Sequence, residues 1–353
     1  MYDRSDLGLR GPVKSCRSEQ TLSFRRCGAD ACDTEERCSV TTTEYDSEGQ
    51  LLRQWCQNPN ASEWTAVYTY DQSGRLRTII TDGTAGPSGV RTHYYDQAGR
   101  LERIGLKTSD SAERTVESFK YDSVGRKTKV LHIDLSSRRP DTTYGYGVEG
   151  TTSAYSAPGA REIQTRYDER GKPVALAFYG DDQNLLRRVG FLYDSAGRLI
   201  EEAQEEVASA FPTEVLEQGT AAQVAALRAV FASVKIFHRY DDTGRRAETR
   251  SEIGRLGEDR KVTTYNEHGD PESEQSFHAS RDFEIDDEGR LSDRPTRENI
   301  STSEARFTYV YDEAGNWVQL TIAGRTAPKE PFQTSSIETR VLTYWQNAGT
   351  TQP

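Results

Sequence analysis

The sequence predicts a mainly β protein built from antiparallel hairpin repeats, with one inserted helical segment. Three observations carry this. The phrase Tyr-Asp-x-x-Gly-Arg-Leu recurs, as at Tyr70–Leu76, Tyr95–Leu101 and Tyr193–Leu199. Its aspartate returns mostly every 25 or 26 residues, and a fixed period of this length signals a repeat architecture. Residues before each copy alternate in character and are rich in β-formers, as in Thr65-Ala66-Val67-Tyr68-Thr69-Tyr70.

Residues 1–56 form a Cys-rich N-terminal cap. Leu7-Gly8-Leu9-Arg10-Gly11-Pro12-Val13-Lys14-Ser15 reads as a turn followed by a first strand. All five cysteines, Cys16, Cys27, Cys32, Cys38 and Cys56, lie in this stretch. Such clustering suggests a disulfide-stapled cap in an oxidising compartment, against the blander reading of ordinary buried thiols. A hairpin around Asp46–Gly49 brings residues near 40 opposite residues near 56, which favours a Cys38–Cys56 bridge. The cysteine spacings fit no standard zinc pattern.

Residues 57–200 and 235–315 carry the repeats. Each copy reads as a hairpin turn: Asp opens the turn by accepting from nearby backbone N–H groups, and Gly three residues on takes the left-handed conformation. The turn pairs are Asp46 with Gly49, Asp71 with Gly74, Asp96 with Gly99, Asp122 with Gly125 and Asp168 with Gly171. They continue as Asp194 with Gly197, Asp241 with Gly244, Asn266 with Gly269, Asp286 with Gly289 and Asp312 with Gly315. A worn copy is expected near Tyr146. Tyrosine and the later leucine are assigned to an inner apolar stripe. Asp, Arg and Lys are assigned mostly to the outer face.

Residues 201–234 interrupt the pattern. Thr220 and Gln223 form a capping box, and Val224, Leu227, Val230 and Phe231 share one helical face. Leu227 and Phe231 either cover the sheet or dock a partner. Residues 316–353 form a C-terminal cap with two strands, containing Trp317 and Trp345 as further partner-binding candidates. The whole of 1–353 is expected to be a single domain and a complete small protein.

The repeated Tyr-Asp-x-x-Gly resembles the YD-repeat family, also called RHS repeats, from about Tyr45 to Trp345. The family includes bacterial Rhs proteins, shell components of insecticidal toxin complexes and the extracellular teneurins. The resemblance implies a long spiralling or shell-like sheet of hairpins, here in a small stand-alone bacterial member. The chain departs from the shell proteins in its only Asp-Pro, Asp270-Pro271, which is followed by Glu272-Ser273 rather than a self-cleavage sequence.

Net charge is −11, which argues against nucleic acid and anionic membrane surfaces. No run approaches a membrane-spanning helix, so no membrane insertion is expected. Carboxylate pairs such as Asp181-Asp182, Asp241-Asp242 and Asp286-Asp287 sit in turns, which explains them without catalysis or calcium. The five histidines fit no metal spacing, and no cofactor-binding motif is present. The expectation is a non-enzymatic, secreted or envelope-associated bacterial structural protein that binds a protein partner or itself. This location presupposes a signal peptide outside the present numbering. A carbohydrate-binding surface module is one alternative, since exposed tyrosines and tryptophans would stack on sugar rings. A small shell or chaperone for a separately encoded toxin is another.

Overall fold

The computed structural model describes residues 4, 8–27, 32–58, 61–83, 88–132, 159–181, 183–206, 233–284, 292 and 294–346. Twenty strands are found among them. The first five are β1 (Val13–Cys27), β2 (Cys32–Tyr45), β3 (Leu51–Asn58), β4 (Ala61–Tyr70) and β5 (Leu76–Gly83). Next come β6 (Gly89–Tyr95), β7 (Leu101–Lys107), β8 (Arg114–Tyr121), β9 (Lys127–His132) and β10 (Glu162–Tyr167). Then follow β11 (Pro173–Tyr179), β12 (Leu185–Tyr193), β13 (Leu199–Glu206), β14 (Ser233–Tyr240) and β15 (Arg246–Ile253). The last are β16 (Gly257–Tyr265), β17 (Pro271–Asp282), β18 (Arg297–Tyr311), β19 (Trp317–Arg325) and β20 (Gln333–Tyr344).

Each strand pairs antiparallel with the next, in an up-and-down meander. The meander then closes: β20 pairs with β1, with Arg17 opposite Val341 and Gln20 opposite Glu338. The result is a closed 20-strand barrel, and it corrects the expected open, spiralling sheet. Closure removes the unpaired edges that end caps would otherwise have to protect. The expected helix around Leu227 and Phe231 and the worn copy near Tyr146 lie outside the described residues. Leu199–Glu206 is strand, so the regular sheet runs past residue 201, where the interruption was expected to begin.

The hairpin turns explain why this sequence makes these strands. At Asp71–Gly74, the Gly74 N–H donates to Asp71 O and the Asp71 N–H donates to Arg75 O, both at 2.9 Å. The carboxylate adds two bonds, accepting from Ser73 N at 2.9 Å and Arg75 N at 3.0 Å. Gly74 has φ +73°, where a Cβ would be strained. The register shifts by one residue at Tyr70, the bulge that such a turn introduces. The same backbone pattern recurs at the other described turns, including Asn266–Gly269. Asp286 and Gly289 lie outside the described residues.

Midway along β4, β5 and β12, side chains of one parity are buried and those of the other are exposed. Tyr68 and Ile79 belong to the first set, with Leu176, Phe178 and Val189 fully buried. Val67, Ile80 and Leu192 belong to the second and are 36%, 43% and 54% exposed. A closed barrel crowds side chains on its concave side and splays them on its convex side, so the tyrosine-bearing parity faces inward. Burying Phe178 contributes roughly 1.5–3 kcal/mol.

Neighbouring hairpins are strapped together at their turn ends. The Tyr70 hydroxyl donates to Leu51 O at 2.8 Å, Tyr95 to Leu76 O at 2.7 Å, and Tyr240 to Leu199 O at 2.7 Å. Tyr121, Tyr167, Tyr193 and Tyr265 repeat the bond to their own predecessors. At five turns an arginine follows the glycine and binds the turn's own aspartate, as Arg75 Nε to Asp71 Oδ2 at 2.8 Å. It also lies over the next tyrosine: Arg75 over Tyr95 at 4.7 Å, Arg198 over Tyr240 at 4.8 Å. These arginines thus bridge one hairpin to the next, a role that an outer-face placement alone does not describe. We expect Tyr240→Phe, which keeps the ring under Arg198 but leaves Leu199 O unpaired, to cost about 1–2 kcal/mol in urea unfolding. A change within error would mean that the strap is incidental.

Candidate binding pocket at the barrel seam

The two ends of the chain meet where β20 closes on β1, and the repeat chemistry changes there. Asn316 stands where six of the ten copies carry Arg. Its side-chain oxygen accepts from Arg10 N at 2.6 Å, and its amide donates to Arg10 O at 2.8 Å. Tyr344 donates to the Asp312 carboxylate, and burial together with that bond pushes its hydroxyl up to about 12. Trp345 donates its indole N–H to Asp46 O at 3.0 Å, and Lys14 lies over its ring at 4.9 Å. Trp317 is half-buried, with the Arg340 guanidinium 3.3 Å above its ring. Both tryptophans singled out as partner-binding candidates are thus engaged within the seam.

On the inner face beside the seam, four adjacent strands enclose a pocket of about 210 Å³. β1 supplies Cys16, Ser18 and Gln20; β2 supplies Ser39, Thr41 and Thr43. Gln54 of β3 and Glu338 and Arg340 of β20 complete it. Register brings them together: Ser18 stands opposite both Thr41 and Arg340, and Gln20 opposite both Ser39 and Glu338. Ser18 Oγ donates to Glu338 Oε1 at 2.5 Å, and Arg340 Nε lies 3.5 Å from the same oxygen. Burial pushes the Cys16 thiol up more than the nearby Arg340 cation lowers it, so Cys16 lines the pocket as a protonated thiol rather than a nucleophile. The arrangement can hold and orient a small polar molecule through hydroxyls, amides and one pair of opposite charges.

The expected Cys38–Cys56 disulfide is corrected. Thr41 stands opposite Cys56, and Val40 opposite Gln57. Cys38 shares the parity of Val40 while Cys56 shares that of Thr41, so the two thiols point to opposite faces. The two are not bridged to each other, and the Cys38 thiol donates to Glu19 Oε1 at 3.6 Å.

A second constellation is buried in the wall. Glu202 of β13 and His238 of β14 are in direct contact, Oε1 to Nε2, and both side chains are 0% exposed. Thr249 Oγ1 lies 3.4 Å from His238 Nδ1. Full burial keeps substrate away from this pair and marks it as structural. Among the described residues, no group of three His, Cys, Asp or Glu side chains is placed to hold a metal.

No protein-family model and no curated protein matches the chain. Among solved structures, it is similar to a porin-like protein from Bacteroides uniformis at 10% identity, over 95% of this chain and 98% of that one, with a TM-score of 0.30. A porin-like protein from Bacteroides vulgatus aligns at 11% identity over 95% and 99%, with a TM-score of 0.22. Identities and scores at this level carry no argument about role. The YD-repeat assignment does not stand, because no family model supports it and the hairpins close on themselves instead of spiralling. What the strand pairing shows is a closed, up-and-down antiparallel β-barrel.

Proposed function

We propose that this barrel is a non-enzymatic binding protein, secreted or held at the bacterial cell envelope, that carries a small polar ligand in the seam pocket. The pocket itself is the observation behind the reading: hydrogen-bonding side chains from four strands converge on one concave, partly enclosed volume. A ligand there would be held by atoms on rigid strands, which favours recognition over turnover. Isothermal titration of the full chain with neutral sugars, acidic sugars and amino acids tests it, with Thr41→Tyr as a pocket-filling variant. Saturable binding that Thr41→Tyr removes is expected. Absence of binding, or binding unaffected by that variant, would sink the reading.

The outer face supports a barrel that sits in water rather than in a bilayer. Arg260 grips Glu248 at 3.0 and 3.1 Å, Arg281 binds Glu298 at 2.8 Å, and Arg325 binds Glu304 at 2.9 Å. Strand register puts these pairs on the face opposite the one that carries Tyr265 and Tyr309. An Arg or Lys on a lipid-facing barrel position costs roughly 2–4 kcal/mol at the bilayer midplane. The protein is therefore expected to purify as a monodisperse species without detergent. Aggregation that only detergent relieves would remove this part of the reading.

A further inference from the structure

Resting on the pocket reading above, we infer that the seam pocket binds a small zwitterion of the amino-acid class, with its carboxylate on Arg340 and its ammonium on Glu338. Arg340 is the starting point. Its side chain is 13% exposed and its guanidinium stacks on Trp317 at 3.3 Å. Its Nε is buried without a hydrogen-bond partner, and Glu338 stands 3.5 Å away, beyond good hydrogen-bond reach. A guanidinium carries five donors in a planar fork that matches a carboxylate, and stacking on an aromatic face fixes the plane of that fork. Arg340 lines the pocket, so a carboxylate that enters it meets this cation.

Glu338 decides what kind of acceptor. It is 20% exposed and is held in place by the Ser18 hydroxyl at 2.5 Å. A simple anion on Arg340 would meet this carboxylate at close range, and a simple cation on Glu338 would meet the guanidinium. A ligand carrying both charges a few ångströms apart satisfies both groups at once. The remaining lining is neutral and hydrogen-bonding: Gln20, Ser39, Thr41, Thr43 and Gln54. It would serve the polar side chain of such a ligand. The pocket measures about 210 Å³. That leaves room for a ligand the size of a single amino acid.

The test uses the full chain and isothermal titration with glutamine and serine, their N-acetylated forms, their carboxamides, and glucose. The free amino acids are expected to bind. Blocking either end should weaken binding at least tenfold. Arg340→Met, which keeps an aliphatic stem over Trp317, and Glu338→Gln should each do the same, with melting temperature confirming the fold. Should Arg340→Met fail to fold, the blocked ligands on the unaltered protein decide alone. Glucose binding that survives Arg340→Met would overturn the zwitterion assignment while leaving the pocket reading intact. Failure of every ligand would overturn both.

Discussion

Glu202→Ala is expected to destabilise the barrel by roughly 3–5 kcal/mol. Glu202 and His238 are fully buried partners on adjacent strands. Removing the carboxylate strands the imidazole in the wall, with Thr249 at 3.4 Å as its remaining neighbour. It also opens space beneath Ile236, which stands opposite Glu202. Glu202 Oε2 has no hydrogen-bond partner, so the pair is not an optimised network. A buried polar pair of that kind is often replaceable by apolar residues of similar volume at little cost. The double change Glu202→Leu with His238→Leu should therefore recover most of the loss. Urea unfolding at neutral pH reads both. A single-variant loss below 1 kcal/mol, or a double variant worse than the single, would show that the pair does not stabilise this wall.

The hairpins were legible because their chemistry is local. Asp71, Gly74 and the register shift at Tyr70 all act within one turn, so seven residues of sequence contain the whole argument. Closure was not legible in the same way. β1 lacks the repeated phrase, yet it pairs with β20 across more than 300 positions, and no local signal announces that the ends will meet. The straps lie between these extremes. Tyrosine was assigned to an apolar stripe, but its hydroxyl reaches a carbonyl about 20 residues back, which only inter-hairpin register could reveal. The cysteine error has the same root: a shift of one residue in parity sends Cys38 and Cys56 to opposite faces. The seam pocket was missed because Ser18, Thr41 and Arg340 come together only after closure, and each alone reads as an ordinary strand residue.

Acidification should open the barrel through its turns, over a window set by their aspartates. The carboxyls of Asp71, Asp96 and Asp194 are held below the usual range, first by the backbone N–H of the arginine four residues on. At Asp122, burial works to raise the carboxyl, and the Arg126 side chain and backbone outweigh it. Asp241 is lowered most, to about 2, with the Thr243 hydroxyl as the leading cause. A carboxyl depressed in the folded state contributes stability that is fully present above its unfolded value of about 3.9. That stability is lost as pH falls through the folded value. Stability is therefore expected to be flat from neutral pH to about 4.5, then to fall steeply toward pH 2, with the Asp241 turn the last to lose its contribution. Asp241→Asn isolates that contribution. The barrel already uses Asn266 in an equivalent turn, where its side-chain oxygen accepts from His268 N at 2.9 Å and Asp270 N at 3.0 Å. The variant should keep its turn but lose the charged bonds from Arg245, so it should be less stable than the parent at pH 7. The gap should close as pH approaches 2, where the parent carboxyl is itself protonated. Urea midpoints for both proteins at pH 7, 4 and 2.5 follow that gap. If it stays constant or widens with acid, the depressed carboxylates are not what holds these turns.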